Sequence, residues 1–315
     1  MRIIFFGTDE FAKEILAYLF GQDLDIVAVV TRADKPKGRS LKTEAPPVKE
    51  LCLEKGFQGP IYQPLKASDE EFVSFLTELS PDLFVVVSYG QILRQNVLDI
   101  PKYGTINVHP SLLPKYRGPS PIQSVVLAGE VKTGVTIMEM ELAMDAGGII
   151  KVVPADIPEE MSFGELEILL VDLAKDSLLK VIQEISNNQK ISATPQVENL
   201  ATYTKKIHAE DSFIDWNRSI KEICNFVRGM NPRPGARMFV QMDGKKLLMK
   251  VFGVKSAEYC GGKPGEPLFF NKEQGLIIAC SDGSVGLQEV QLEGKKKMNI
   301  KDFINGFSDK INFIY

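Results

Sequence analysis

Short apolar runs alternate with stretches of helical spacing through the first half of the chain. Arg2–Phe6 reads as a buried strand. Thr8 or Asp9 then caps a helix to about Phe20, with Phe11, Ile15, Leu16 and Leu19 on one face. Strands are expected at Asp25–Val30, Ile61–Gln63, Asp82–Val87, Thr105–His109, Gly134–Met140 and Ile149–Val153. Helices are expected near Val48–Lys55, Ser68–Leu79 and Ile122–Ala128, and a long amphipathic one over Phe163–Ile185. Asp82–Val87 is the most continuous β-branched run, as a central strand covered on both faces requires. Ala33–Pro47 is polar, basic and proline-bearing, and reads as a loop.

The strand–helix rhythm predicts an α/β domain over residues 1–188, a doubly wound, Rossmann-like and mostly parallel sheet. Residues 189–206 are polar and without periodicity, and read as a linker. The character then changes. After a helix at Ile220–Arg228, short runs at Arg237–Gln241, Leu247–Val254, Gly275–Cys280 and Val285–Val290 are separated by glycine turns. Residues 207–315 are therefore expected to form a small, OB-like β-barrel.

Composition leaves this picture unchanged and narrows the classes of function. The 315 residues are 44% hydrophobic and 25% charged, which is ordinary for a globular protein of two domains. No run approaches the roughly 18 apolar residues that span a membrane. The opening strand turns acidic too early for a signal peptide, so a cytoplasmic protein is expected. Cys52, Cys224, Cys260 and Cys280 show no paired spacing and read as reduced thiols. Net charge is −4, but residues 207–315 carry 16 Lys+Arg against 13 Asp+Glu, which permits an anionic partner there.

The chemistry concentrates at one strand end. Alternation places Asn107 and His109 on one side of their strand, and His109 is one of only two histidines. The strand's C-terminal end is where α/β sheets hold ligands. The exit loop, Ser111-Leu-Leu-Pro-Lys-Tyr-Arg-Gly118, mixes prolines, cations and a glycine beyond what a structural loop needs. Asp145, in the turn Met144-Asp-Ala-Gly-Gly148, offers a carboxylate that can join the amide and the imidazole. Together such groups can stabilise an oxyanion while a proton moves. Dinucleotide binding is disfavoured, because Phe6-Gly7-Thr8-Asp9-Glu10 supplies one glycine and two acids where a pyrophosphate needs a glycine-rich turn. No nucleotide phosphate loop is present, and no metal is expected.

The segments NVHPSLLPKYRG, GVTIMEM and MDAGG together resemble the folate-dependent formyltransferases. GTDEFA near the start and SYGQIL at Ser88–Leu93 narrow the resemblance to the branch acting on methionyl-tRNA. It continues through DSFIDW (Asp211–Trp216) and NPRPGA (Asn231–Ala236), nearly the whole chain. The resemblance implies formyl transfer from 10-formyltetrahydrofolate to the α-amine of initiator methionyl-tRNA. Asn107 and His109 would hold the oxyanion, His109 would relay the proton and Asp145 would orient the imidazole. It places Ser88, Tyr89 and Gly90 beside the folate, with Ser111, Leu112, Leu113 and Pro114 walling the pocket. Arg117 is left open between substrate binding and a salt bridge within its loop.

It also implies that the basic loop, with Arg39 foremost and Lys35, Lys37 and Lys42 beside it, meets tRNA phosphate. A monomer needing neither DNA nor membrane is expected. The alternative acceptor is the amino group of a nucleotide-linked sugar. Two departures stand out. Arg233 and Arg237 occupy positions where the family carries tryptophans, and Gly148 stands where it often has an acid.

Overall fold

The computed structural model describes residues 1–37, 42–259, 261–307 and 310–313. Arg39 and Cys260 lie outside them. The chain divides into two compact units, Met1–Gly118 with Lys132–Asp156 and Glu167–Thr204, and Pro119–Val131 with Ile157–Leu166 and Lys205–Tyr315.

The first unit opens with β1 (Arg2–Gly7), α1 (Glu10–Phe20) and β2 (Asp25–Val30). Asp9 caps α1, its carboxylate accepting from the Ala12 N–H at 3.1 Å. The segment expected as a plain loop carries two short paired strands, β3 (Lys35–Lys37) and β4 (Lys42–Glu44). There follow α2 (Pro47–Glu54), β5 (Ile61–Tyr62), α3 (Glu70–Glu78), β6 (Leu83–Val87), α4 (Gln95–Leu98) and β7 (Thr105–His109). After α5 (Pro121–Leu127) come β8 (Lys132–Glu139), β9 (Ile149–Asp156) and the long α6 (Phe163–Asn188).

The main sheet has the order β5-β2-β1-β6-β7-β8-β9. Pairings from β5 to β7 are parallel, and β8 and β9 add on antiparallel. The expected doubly wound, parallel-rich sheet is thus present, with its strand order reversing between β1 and β6. Ile3, Ile4, Phe5 and Phe6 are all essentially inaccessible, which is why β1 reads as a continuous apolar run. Burying side chains of this size stabilises the sheet by about 1.5–3 kcal/mol each. Thr8 Oγ1 donates to the Tyr89 carbonyl at 2.8 Å, tying the strand ends together at the reversal.

In the second unit α7 (Ile220–Met230) starts at a capping box, in which Ser219 and Glu222 satisfy each other's backbone N–H groups. Its buried face (Ile223, Phe226, Val227, Met230) packs in one core with the sheet of β10 (Ala236–Met242), β11 (Lys245–Ala257), β12 (Pro267–Asn271), β13 (Gly275–Cys280) and β14 (Gly283–Leu292). β15 (Met298–Asn299), α8 (Ile300–Phe307) and β16 (Ile311–Phe313) complete it. The order β12-β13-β14-β11-β10-β16 is antiparallel throughout. Phe270 of the first edge strand meets Phe313 of the last edge-on, with centroids 5.1 Å apart, so an aromatic contact brings the ends of a nearly closed barrel together. Within this unit α5 packs on α7, where Gly229 leaves room for Leu127.

Candidate active site

Within β7, Asn107 is flanked on both sides, by Val86 and Met138, and His109 on one side, by Thr136. Past the strand the chain turns at once, the Ser111 N–H donating to the His109 carbonyl at 2.9 Å. Thr136 then fixes the loop. Its hydroxyl donates to the Ser111 carbonyl at 2.6 Å and accepts from the Leu113 N–H at 3.2 Å. Ser111 is fully buried and Leu113 nearly so, and Ser111 Oγ donates to the Lys115 carbonyl. Leu112 and Pro114 are half-buried beside them. The peptide before Pro114 is cis.

Loop closure returns the Tyr116 carbonyl to the buried His109, 2.9 Å from Nε2. A carbonyl only accepts, so Nε2 carries the hydrogen and neutral His109 keeps its lone pair on Nδ1. Nδ1 stands 3.6 Å from Asp145 Oδ2, beyond hydrogen-bond reach but close enough for the carboxylate to favour an imidazolium. The same oxygen accepts the Gly118 N–H at 2.7 Å. Burial lowers the His109 pKa below its usual 6.5, against opposing pulls from Asp145 and the Tyr116 carbonyl. His109 is thus a neutral base at neutral pH, with a counter-charge placed for its protonated form. The Asn107 amide is half-buried and has no hydrogen-bond partner among the described residues.

This geometry alters one expectation. A neutral His109 has no spare N–H for an oxyanion, because Tyr116 takes it. Asn107 is the donor free from the start, and His109 becomes one only when Nδ1 gains a proton.

Asp145 sits in left-handed backbone, φ 51°. Gly147 lets the turn close, since a Cβ there would run into the Glu139 carbonyl oxygen. A Cβ at Gly148 would come within 2.7 Å of Ala193, which fits the absence of the family's acid at that position.

The folate-side residues divide. Ser88 and Gly90 are exposed at the end of β6, both with positive φ. The Tyr89 ring instead packs in the core, edge-on to Phe6 at 5.4 Å, and burial raises its pKa. The Tyr89 carbonyl accepts from Thr8, so this residue lies beneath the strand-end surface that Ser88 and Gly90 form. Among the basic residues, Lys35 is exposed, and Lys37 and Lys42 face each other in register across the β3–β4 pair. The base of that pair is anchored. Lys49 bridges Asp34 at 2.8 Å and donates to Gln63, and Gln63 donates to Asp34 and to the Arg32 carbonyl. These contacts, Gln63 first and then Lys49, hold the Asp34 pKa below its usual value.

Pattern reading missed Gln196, Glu198 and Tyr203, which converge on Arg117 from the segment expected as a linker. No periodicity marked them. The segment joins the first unit by paired backbone bonds, Thr194 with Ile149 and Arg117 with Thr202 and Thr204. Arg117 is 1% exposed, which decides its open role in favour of holding the loop.

Comparison with known proteins identifies the family. A formyl transferase family model matches residues 1–182, and a model of the formyl transferase C-terminal domain matches residues 206–308. A methionyl-tRNA formyltransferase from Protochlamydia amoebophila is 42% identical over 308 residues, covering 98% of this chain and 96% of its own. Another from Thermotoga neapolitana is 40% identical over 306 residues, covering 97% and 95%. Among solved structures, the sugar 3N-formyl transferase WlaRD, with dTDP and 5-N-formyl-THF, has a TM-score of 0.64 at 19% identity over 94% of this chain and 99% of its own. HypX from Aquifex aeolicus in complex with tetrahydrofolic acid has the same TM-score at 19% identity, over 96% and 47%. At that identity the likeness is one of fold. The sequence matches run nearly end to end, and the chain belongs to the formyl transferases, within the methionyl-tRNA formyltransferase family.

Proposed function

We propose that the protein transfers the formyl group of 10-formyltetrahydrofolate to the α-amine of initiator methionyl-tRNA, with Asn107, His109 and Asp145 as its catalytic groups. The observation that carries the chemistry is the meeting of a partnerless amide, a neutral buried imidazole and a carboxylate at one strand end. Attack of the amine nitrogen on the formyl carbon forms the new C–N bond and leaves an oxyanion. The Asn107 amide donates to that oxygen. His109 Nδ1 takes the proton released by the amine, and the nearby Asp145 carboxylate stabilises the imidazolium. Collapse breaks the bond to the departing folate nitrogen, N10, to which His109 returns the proton.

Ser88 and Gly90 would meet the pterin, with Tyr89 beneath them, and the Ser111–Pro114 loop would wall it. This fit is supported by their exposure or rigid placement at the end of the sheet. The tRNA acceptor is supported by near full-length identity of about 40% to relatives of that name and by the basic β3–β4 pair. Arg39, Lys35, Lys37 and Lys42 would supply its phosphate contacts. Free thiols at Cys52, Cys224 and Cys280 suit the cytoplasm, and a catalytic set drawn from one chain suits a monomer.

The test is incubation with 10-formyltetrahydrofolate and methionyl initiator tRNA. Formylmethionine is expected on the recovered tRNA, with no product from a dTDP-linked amino sugar. Turnover of the sugar with none of the tRNA would reverse the choice of acceptor.

A further inference from the structure

Arg117 is buried, and its side chain is bonded to the strap formed by residues 194–204. A guanidinium has five N–H donors, and all five are engaged. Nε and Nη2 donate to Gln196 Oε1 at 3.2 and 2.9 Å. Nη1 donates to Glu198 Oε1 at 3.0 Å and to the Tyr203 hydroxyl at 3.2 Å, and Nη2 to Glu198 Oε2 at 2.9 Å. No donor remains for a substrate anion.

The consequence passes through Gln196. Because its oxygen faces two guanidinium hydrogens, its NH₂ must face the other way. There it donates to the carbonyls of Asp145 at 2.8 Å and Gly147 at 2.7 Å. A reversed amide would set oxygen against two carbonyls and NH₂ against a cation. The guanidinium therefore selects the one amide orientation that grips the turn immediately after the left-handed Cα of Asp145, at the Asp145 and Gly147 carbonyls.

We propose that Arg117 and Gln196 are positioning residues for the transfer reaction: Arg117 orients the Gln196 amide, and that amide holds the Asp145 turn so that its carboxylate stands between the Gly118 N–H and His109 Nδ1. The proposal rests on the catalytic reading given above. Side chains on the segment leading into the second unit thereby set the geometry of the proton relay without touching substrate. The strap has independent anchors. The Arg117 N–H donates to the Thr202 carbonyl, the Thr204 N–H to the Arg117 carbonyl, and Thr194 and Ile149 exchange two bonds. Altering Gln196 therefore changes the turn and leaves the strap docked.

Gln196→Met in the full-length enzyme keeps the length of the side chain and removes both donors. A kcat about tenfold or more below wild type is expected, with KM for 10-formyltetrahydrofolate and for methionyl-tRNA within about twofold and a melting temperature lower by only a few degrees, from the two Arg117 donors left without an acceptor. Arg117→Lys, which leaves the amide in place without its fork, should move kcat in the same direction by less. The second readout is the titration of the His109 ring by NMR. The groups facing the ring are the Asp145 carboxylate and the Tyr116 carbonyl, while Thr136 from β8 is engaged by Ser111 and Leu113. Without a placed carboxylate, the His109 midpoint should fall in Gln196→Met. A wild-type kcat and an unmoved midpoint would overturn the proposal, as would a change confined to KM and melting temperature. Wild-type enzyme that transfers no formyl group would overturn the catalytic reading instead.

Discussion

The turn around Asp145 and the β10–β11 strand pair of the barrel treat charge in opposite ways. At the turn each charged or strongly polar group has an assigned partner: Asp145 has Gly118, Gln196 has two carbonyls, and Arg117 spends every donor. On the barrel, Arg237 and Lys250 stand directly across from each other as two cations. Arg237 Nε is buried without a partner, and Lys250 bonds only the Pro234 carbonyl among the described residues. Saturated networks hold atoms at fixed distances, which proton transfer needs. Cations facing cations raise a local potential, which a polyanion feels at long range. The two arrangements should therefore fail differently when altered, in turnover at the first and in salt dependence or stability at the second.

The largest effect is expected at the relay. His109→Ala should lower kcat by about 10²–10⁴, the range for removing a general base, and Asn107→Ala by about 10²–10³ for removing an oxyanion donor. Rapid-quench formylation of methionyl-tRNA measures both, and circular dichroism should show an intact fold. A His109→Ala enzyme near wild-type rate would remove the base from the mechanism.

Asp145→Asn comes next and reports on sign. Burial depresses the His109 pKa, while Asp145 opposes that shift. Taking the charge away should therefore carry the acid limb of the kcat/KM profile further below 6.5, along with a fall in rate. An acid limb that stays where it is would mean that His109 does not feel this carboxylate. The depressed pKa also makes His109 a stability term that is present above about 6.5 and lost as pH falls through its folded value.

Lys35→Ala and Arg39→Ala should raise KM for tRNA several-fold and leave kcat and KM for folate alone. Removing one phosphate-binding cation should flatten the slope of log affinity against log salt by about one. The Asp145→Asn enzyme should keep the wild-type slope. Equal slopes throughout would take the loop of residues 35–42 out of tRNA binding.

Much of this was legible in the chain because it is local. Alternation put Asn107 and His109 on one side of β7, and the glycine turn marked Asp145. What escaped depends on contacts between distant segments. Gln196 and Glu198 lie about eighty positions from Arg117, in a polar stretch whose fold is set by backbone pairing and not by a hydrophobic period. α8, β12 and β16 were missed because they become strand or helix in closing the barrel, where Phe270 meets Phe313 and Phe303 fills the core. The motif marks Ser88-Tyr89-Gly90 as a strand end, but not that the Tyr89 ring packs against Phe6. A motif locates a backbone position more reliably than it assigns a side-chain direction.

The smallest effect tests the barrel alone. Arg237 stands where the family has tryptophan, and it faces Lys250, whose pKa is lowered by burial first and by Arg237 second. Like charges directly opposite on neighbouring strands oppose folding, and a buried N–H without a partner adds to the penalty. Arg237→Trp removes both and restores apolar bulk. It should stabilise the protein by about 1 kcal/mol and raise the melting temperature by a few degrees. Added salt separates the causes. Screening should raise the wild-type melting temperature more than that of Arg237→Trp, because only wild type has the repulsion to screen. If the two respond alike, the repulsion is already relieved by solvent, and any gain in Arg237→Trp comes from packing. Formylation by Arg237→Trp at low salt should keep its kcat, since the relay and the barrel pair share no side chain.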